Sequence, residues 1–67
     1  MLSARNQWKG EVKAVKLGNV MAELLVEIAP QVQVVSVITR GSVEALALKV
    51  GDTVRVVIKS TEVMIDK

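Results

Sequence analysis

From Gln7 to Leu17 the stretch "QWKGEVKAVKL" alternates loosely, with Trp8, Val12 and Ala14 on one side and Lys9, Glu11 and Lys13 on the other. That period predicts a half-buried strand. "LGN" follows, a Gly-Asn pair suited to a tight hairpin. In "VMAELLVEI" one face carries Val20, Ala22, Leu24, Val26 and Ile28, while the other mixes Met21 and Leu25 with Glu23 and Glu27. Pro30, which has no N–H to donate, ends that pairing. "VQVVSVIT" reads as a third strand, β-branched and apolar on both faces.

The pattern then changes. In "GSVEALAL" a short helix of about two turns is expected, with Ser42 as its cap and Glu44 in its first turn. "KVGD" is a turn, and "TVRVVIK" returns to strand, with Val54, Val56 and Ile58 facing one way and Arg55, Val57 and Lys59 the other. "STEVMI" closes with a turn and a short fifth strand. The predicted order is β-β-β-α-β-β, an all-β class. Five strands with one short helix between strands 3 and 4 suit a five-stranded OB-like Greek-key barrel, whose closure removes exposed edges. Residues 1–67 form a single domain, without repeat or linker.

Composition changes this picture in one respect. Apolar residues make up 51% of 67 positions, a large share for so small a core, and neither disulfides nor His/Cys zinc sites can brace it, since Cys and His are both 0. Met21, Leu25, Val35, Val37 and Val57 fall on nominally outer faces, so subunits that cover one another are expected. No apolar run approaches the ~20 residues of a membrane span, and no leader pattern opens the chain. A cytoplasmic location and no membrane partner are expected.

Charge narrows the function. Nine basic against seven acidic residues leave a net charge of +2. This weak excess, together with Trp8 as the sole aromatic, argues against a nucleic-acid partner. No nucleophile elbow, P-loop or paired carboxylates appear, so no enzyme and no resident cofactor are expected. What remains is a set of cationic and hydroxyl donors at strand ends: Ser3 and Arg5; Thr39, Gly41 and Ser42; Lys59, Ser60 and Thr61. Arginine and lysine supply charge, while hydroxyls and free amides supply directed hydrogen bonds, the chemistry of a small oxyanion site. Three or four charge-assisted bonds at roughly 1.5–3 kcal/mol each reach micromolar affinity.

"SARNQWKG" followed by a hairpin, and then "VITRGSVEALALKVGDTVRVVIKSTEVMI", resemble the molbindins, small molybdate-binding proteins built from a single Mop (TOBE-type) domain. The likeness spans essentially the whole chain. It implies an OB-like barrel assembled as a homohexamer, a trimer of dimers, with molybdate or tungstate bound between subunits. By motif, Ser3, Ala4, Arg5, Lys59 and Ser60 correspond to one wall of the site, and Thr39 and Ser42 to the neighbouring subunit's contribution. The resemblance also implies a second kind of site on the three-fold axis, for which Arg40, Gly41 and Val43 are the candidates. "EIAPQVQVVS" departs from the Gly-containing hairpin of such proteins, which leaves its turn geometry open. Trp8 is expected to pack beside the site. The implied function is intracellular molybdate storage or homeostasis; the alternatives are a sensing or accessory module of a transporter or regulator, and an OB-fold nucleic-acid binder.

Overall fold

The computed structural model describes residues 4–67. Four strands and one helix form, in the order β1 (Asn6–Leu17), β2 (Met21–Ala29), β3 (Val32–Thr39), α1 (Arg40–Ala45) and β4 (Thr53–Ile58), followed by a 3-10 turn at Ser60–Glu62. Consecutive strands pair antiparallel, and β4 returns to the far side of β1, giving the sheet order β3-β2-β1-β4.

β1 is long enough to serve two partners. Its first half pairs with β4, from Asn6 opposite Ile58 to Glu11 opposite Thr53, and its second half with β2, from Glu11 opposite Glu27 to Leu17 opposite Ala22. A bulge separates the halves: Val12 stands opposite Val26 but Ala14 opposite Leu25, which leaves Lys13 as the extra residue. An inserted residue reverses the in–out alternation beyond it. Ala14, expected beside Val12, therefore turns outward, and Val15 packs against the core instead. The turn before β4 secures the bulge, because Val12 N donates to Asp52 O at 2.9 Å and Gly51 N to Val12 O at 2.8 Å.

The buried core is Val12, Ala22, Leu24, Val26 and Val43, flanked by Val15, Ile28, Ile38, Leu48, Val54 and Val56. These are the faces of β2 and β4 that alternation selects. Val20, assigned to the same face, lies outside β2 and is exposed. The Pro30–Gln31 hairpin forms with Gln31 at φ 63°. Proline at the first loop position and a positive φ at the second are the marks of a type II turn.

Two expectations are corrected. The helix is capped by Thr39 and not Ser42: the Thr39 hydroxyl, at the extended end of β3, accepts from Ser42 N at 3.1 Å. This starts α1 at Arg40, three residues earlier than a Ser42 cap predicts. The helix stops at Ala45 because Ala47 turns left-handed at φ 51°, and Ala47 N and Leu48 N bond back to Glu44 O and Val43 O.

The fifth strand does not form within the chain. Ser60–Glu62 makes the 3-10 turn, and residues 63–67 carry no regular structure. Four strands thus make an open sheet, with β3 and β4 at its edges. Between those edges runs an apolar groove of about 310 Å³, lined by Ser36 and Ile38 of β3, Val54 and Val56 of β4, and floored by Val12 and Leu24.

Candidate functional site

The pairing of Asn6 with Ile58 decides where the first group of candidates meets. Arg5 immediately precedes Asn6 and Lys59 immediately follows Ile58, so antiparallel register sets Ala4 and Arg5 at the same end of the sheet as Lys59 and Ser60. Arg5, Lys59 and Ser60 are exposed, and Ser60 opens the 3-10 turn. Ser3 lies outside the described residues. The entry of the chain is held by a residue the sequence reading did not single out: Gln7 Nε2 donates to Ala4 O at 2.6 Å. An amide three residues after the backbone it restrains has no sequence signature beyond its place in "SARNQ". Trp8 pairs with Val56, on the face of β1 that also carries Val12, yet at 39% it remains exposed.

The second group gathers where β3 runs into α1. Thr39 Oγ1 and Ser42 Oγ are 2.7 Å apart and share a hydrogen bond. Arg40 is engaged three ways. Its N–H donates to Val20 O at 2.8 Å, Nε to Glu44 Oε1 at 2.9 Å, and Nη1 to Gly18 O at 3.3 Å. Of the other candidates here, Val43 is buried at 4% exposure, so its side chain belongs to the core. Gly41 has open space beyond its Cα.

The structure brings together Ala4, Arg5, Lys59 and Ser60 in one group, and Thr39 and Ser42 in another. It does not join the groups within the chain. Arg5 and Lys59 sit at the Asn6 end of β1. Thr39 pairs with Met21, beside the Leu17 end. At about 3.3 Å per residue, the length of β1 separates them by roughly 35 Å along the strand. The first group offers guanidinium and ammonium charge, and the second offers hydroxyls in a fixed pair. Together these are donors for an anion. Among the described residues no cluster of His, Cys, Asp or Glu is placed to hold a metal ion.

A TOBE-domain model matches residues 2–65. Molybdenum-pterin-binding protein 3 of Clostridium pasteurianum is 53% identical over 64 residues, spanning 96% of this chain and 94% of that protein. Two solved structures share the fold over the whole chain. MopII from Clostridium pasteurianum superposes with a TM-score of 0.93 at 46% identity, covering 100% of both chains. A molybdate-binding protein from Sporomusa ovata gives 0.94 at 34% identity, covering 98% of that protein. The OB-like, all-β architecture read from the strand pattern is the one these structures share. With a domain match over nearly every residue and a relative more than half identical along almost its full length, this chain belongs to the TOBE-domain family, alongside the molybdenum-pterin-binding proteins.

Proposed function

We propose that this protein binds molybdate, and tungstate as its near-isosteric equivalent, for storage or homeostasis inside the cell, at sites completed by a second copy of the chain. The observation that carries this reading is the separation of the two donor groups. Arg5 and Lys59 gather at one end of β1, Thr39 and Ser42 at the other. One chain thus carries two separated half-sites, each completed when it meets the complementary group of another copy, as in a self-complementary interface where residue i meets j and j meets i. The relatives whose names state molybdenum or molybdate binding cover the same residues, and so support the choice of ligand.

Binding on this reading requires no bond-making. Arg5 and Lys59 offset the dianion's charge, while Ser3, Ser60, Thr39, Ser42 and the backbone amide of Ala4 fix its oxygens. Sulfate is smaller, and a rigid pair of walls leaves part of this donor set out of its reach.

The open sheet supports the assembly. The groove between β3 and β4 is apolar, and Met64 and Ile65, in the segment where a fifth strand was expected, are 91% and 89% exposed. An apolar groove and an apolar terminal segment, both left uncovered by the single chain, suit exchange between copies. A hexamer arranged as a trimer of dimers, with Arg40, Gly41 and Val43 near a second kind of site, completes the proposal; Val43 would contribute there through its backbone. No helix among the described residues is long and apolar enough to cross a membrane.

The test is a molybdate titration by calorimetry, with the mass in solution measured alongside. Wild-type protein binds as an oligomer and its melting temperature rises with ligand. Arg5→Ala abolishes most of that rise. A monomer indifferent to both molybdate and tungstate refutes the proposal, and an undiminished rise in Arg5→Ala refutes the role of Arg5.

A further inference from the structure

Arg40 occupies a position that helix stability alone does not favour. A cation in the first turn opposes the helix dipole, and an Arg-to-Glu pair running from N- to C-terminus is the weaker orientation. The pair is solvent-exposed, Arg40 at 44% and Glu44 at 64%, so its contribution to stability is small. Yet the guanidinium is committed on two sides, to Glu44 Oε1 at 2.9 Å and to Gly18 O at 3.3 Å, across 22 residues of sequence. Gly18 belongs to the β1–β2 turn, which Gly18 N closes on Met21 O at 2.8 Å. Met21 in turn pairs with Thr39. Arg40 therefore links the turn to the end of β3 and the first turn of α1, the two pieces that carry the Thr39–Ser42 hydroxyl pair.

We propose that, toward the Thr39–Ser42 site, Arg40 is a positioning residue: its fork joins α1 to the β1–β2 turn and so holds the Thr39 and Ser42 hydroxyls in the orientation that the ligand of that site requires, without touching the ligand there. This rests on the assignment of Thr39 and Ser42 as anion donors made above. Lysine cannot replace it, because a single ammonium lacks the planar fork that reaches both Gly18 O and Glu44. Glu44 shares the role by fixing the other arm of the fork.

The variants Arg40→Lys, Arg40→Ala and Glu44→Gln distinguish this from a direct charge role. Each is titrated with molybdate by calorimetry at low and high salt, with melting temperature and oligomer mass measured in parallel. Positioning predicts that all three weaken binding, by about tenfold for Arg40→Ala, at unchanged salt dependence and with melting temperatures within a few degrees of wild type. Glu44→Gln is decisive. It frees the Arg40 charge, so a residue acting by direct attraction would then bind the anion more tightly, whereas a positioning residue loses affinity. Tighter binding in Glu44→Gln, full affinity in Arg40→Lys, or unaltered affinity in Arg40→Ala overturns the inference. Should Arg40→Ala fail to fold, Glu44→Gln and Arg40→Lys still decide. Absence of binding by the wild-type protein would instead defeat the molybdate assignment itself.

Discussion

Gly10 lies in β1, opposite Val54, with β2 directly against the side where a Cβ would stand. A Cβ added there would stand 2.7 Å from Val26 Cγ1, 2.8 Å from the backbone oxygen of Glu27 and 3.2 Å from Ile28 Cγ2. Carbon contacts settle at about 3.5–4.0 Å, so a methyl group needs close to 1 Å of displacement from each of the first two. Neither yields easily. Val26 is 4% exposed and packed in the core, and Glu27 O belongs to backbone held between β1 and β3. Overpacking of this kind costs about 1–3 kcal/mol, and the stiffer unfolded chain of alanine adds about 0.4–1 kcal/mol of destabilisation to the unfolded state in return. Gly10→Ala should therefore destabilise the fold by about 1–2 kcal/mol, lowering the melting temperature by roughly 5–15 °C in a domain this small. Gly41→Ala is the matched control. Nothing lies within 4 Å of its added methyl, and in a helix alanine is favoured over glycine by about 0.5–1 kcal/mol. Thermal and urea unfolding of both variants, at one protein concentration, should give shifts of opposite sign. A Gly10→Ala protein as stable as wild type would show that the packing of β1 on β2 is wrongly described.

Other outcomes follow from the same geometry. Ala47→Gly should raise stability by about 1 kcal/mol in urea unfolding, because Ala47 holds φ 51° at the end of α1, where glycine has no steric penalty. Thr39→Ala should cost about 1 kcal/mol through loss of the helix cap, and calorimetry should show molybdate affinity falling further than that of a neutral helix-end variant. The pair Met64→Ser and Ile65→Ser should leave the far-ultraviolet circular dichroism intact while light scattering reports a smaller assembly; an unaltered mass would exclude this segment from the subunit contact. Lys59→Ala should weaken molybdate binding at low and at high salt alike, because a direct ammonium contact survives screening; a loss that disappears at high salt would mean its charge acts only by general attraction.

Much of the fold was written in side-chain periodicity. Ala22, Leu24, Val26 and Ile28 alternate without interruption in β2, and Val54 and Val56 in β4, and all of them reached the core or its margin. The cations and hydroxyls of "SARNQ", "ITRGS" and "IKS" were read at strand ends, and the register sets Arg5, Lys59 and Thr39 there. Periodicity failed where one residue interrupted it. Lys13 carries no mark of a bulge, yet it exchanged Ala14 for Val15 in the packing.

The helix boundary failed for a related reason. Thr39 and Ser42 are both competent caps, and the choice fell to Thr39 because β3 delivers it in extended conformation, three residues ahead of a free N–H. The sequence by itself determined which residues are apolar, which carry cationic or hydroxyl donors, and where β1 to β4 fall along the chain. Only the tertiary structure decided that the two donor groups lie at opposite ends of β1 and that β3 and β4 remain unjoined. Strand register and closure depend on contacts between residues far apart in sequence, and no local pattern records them.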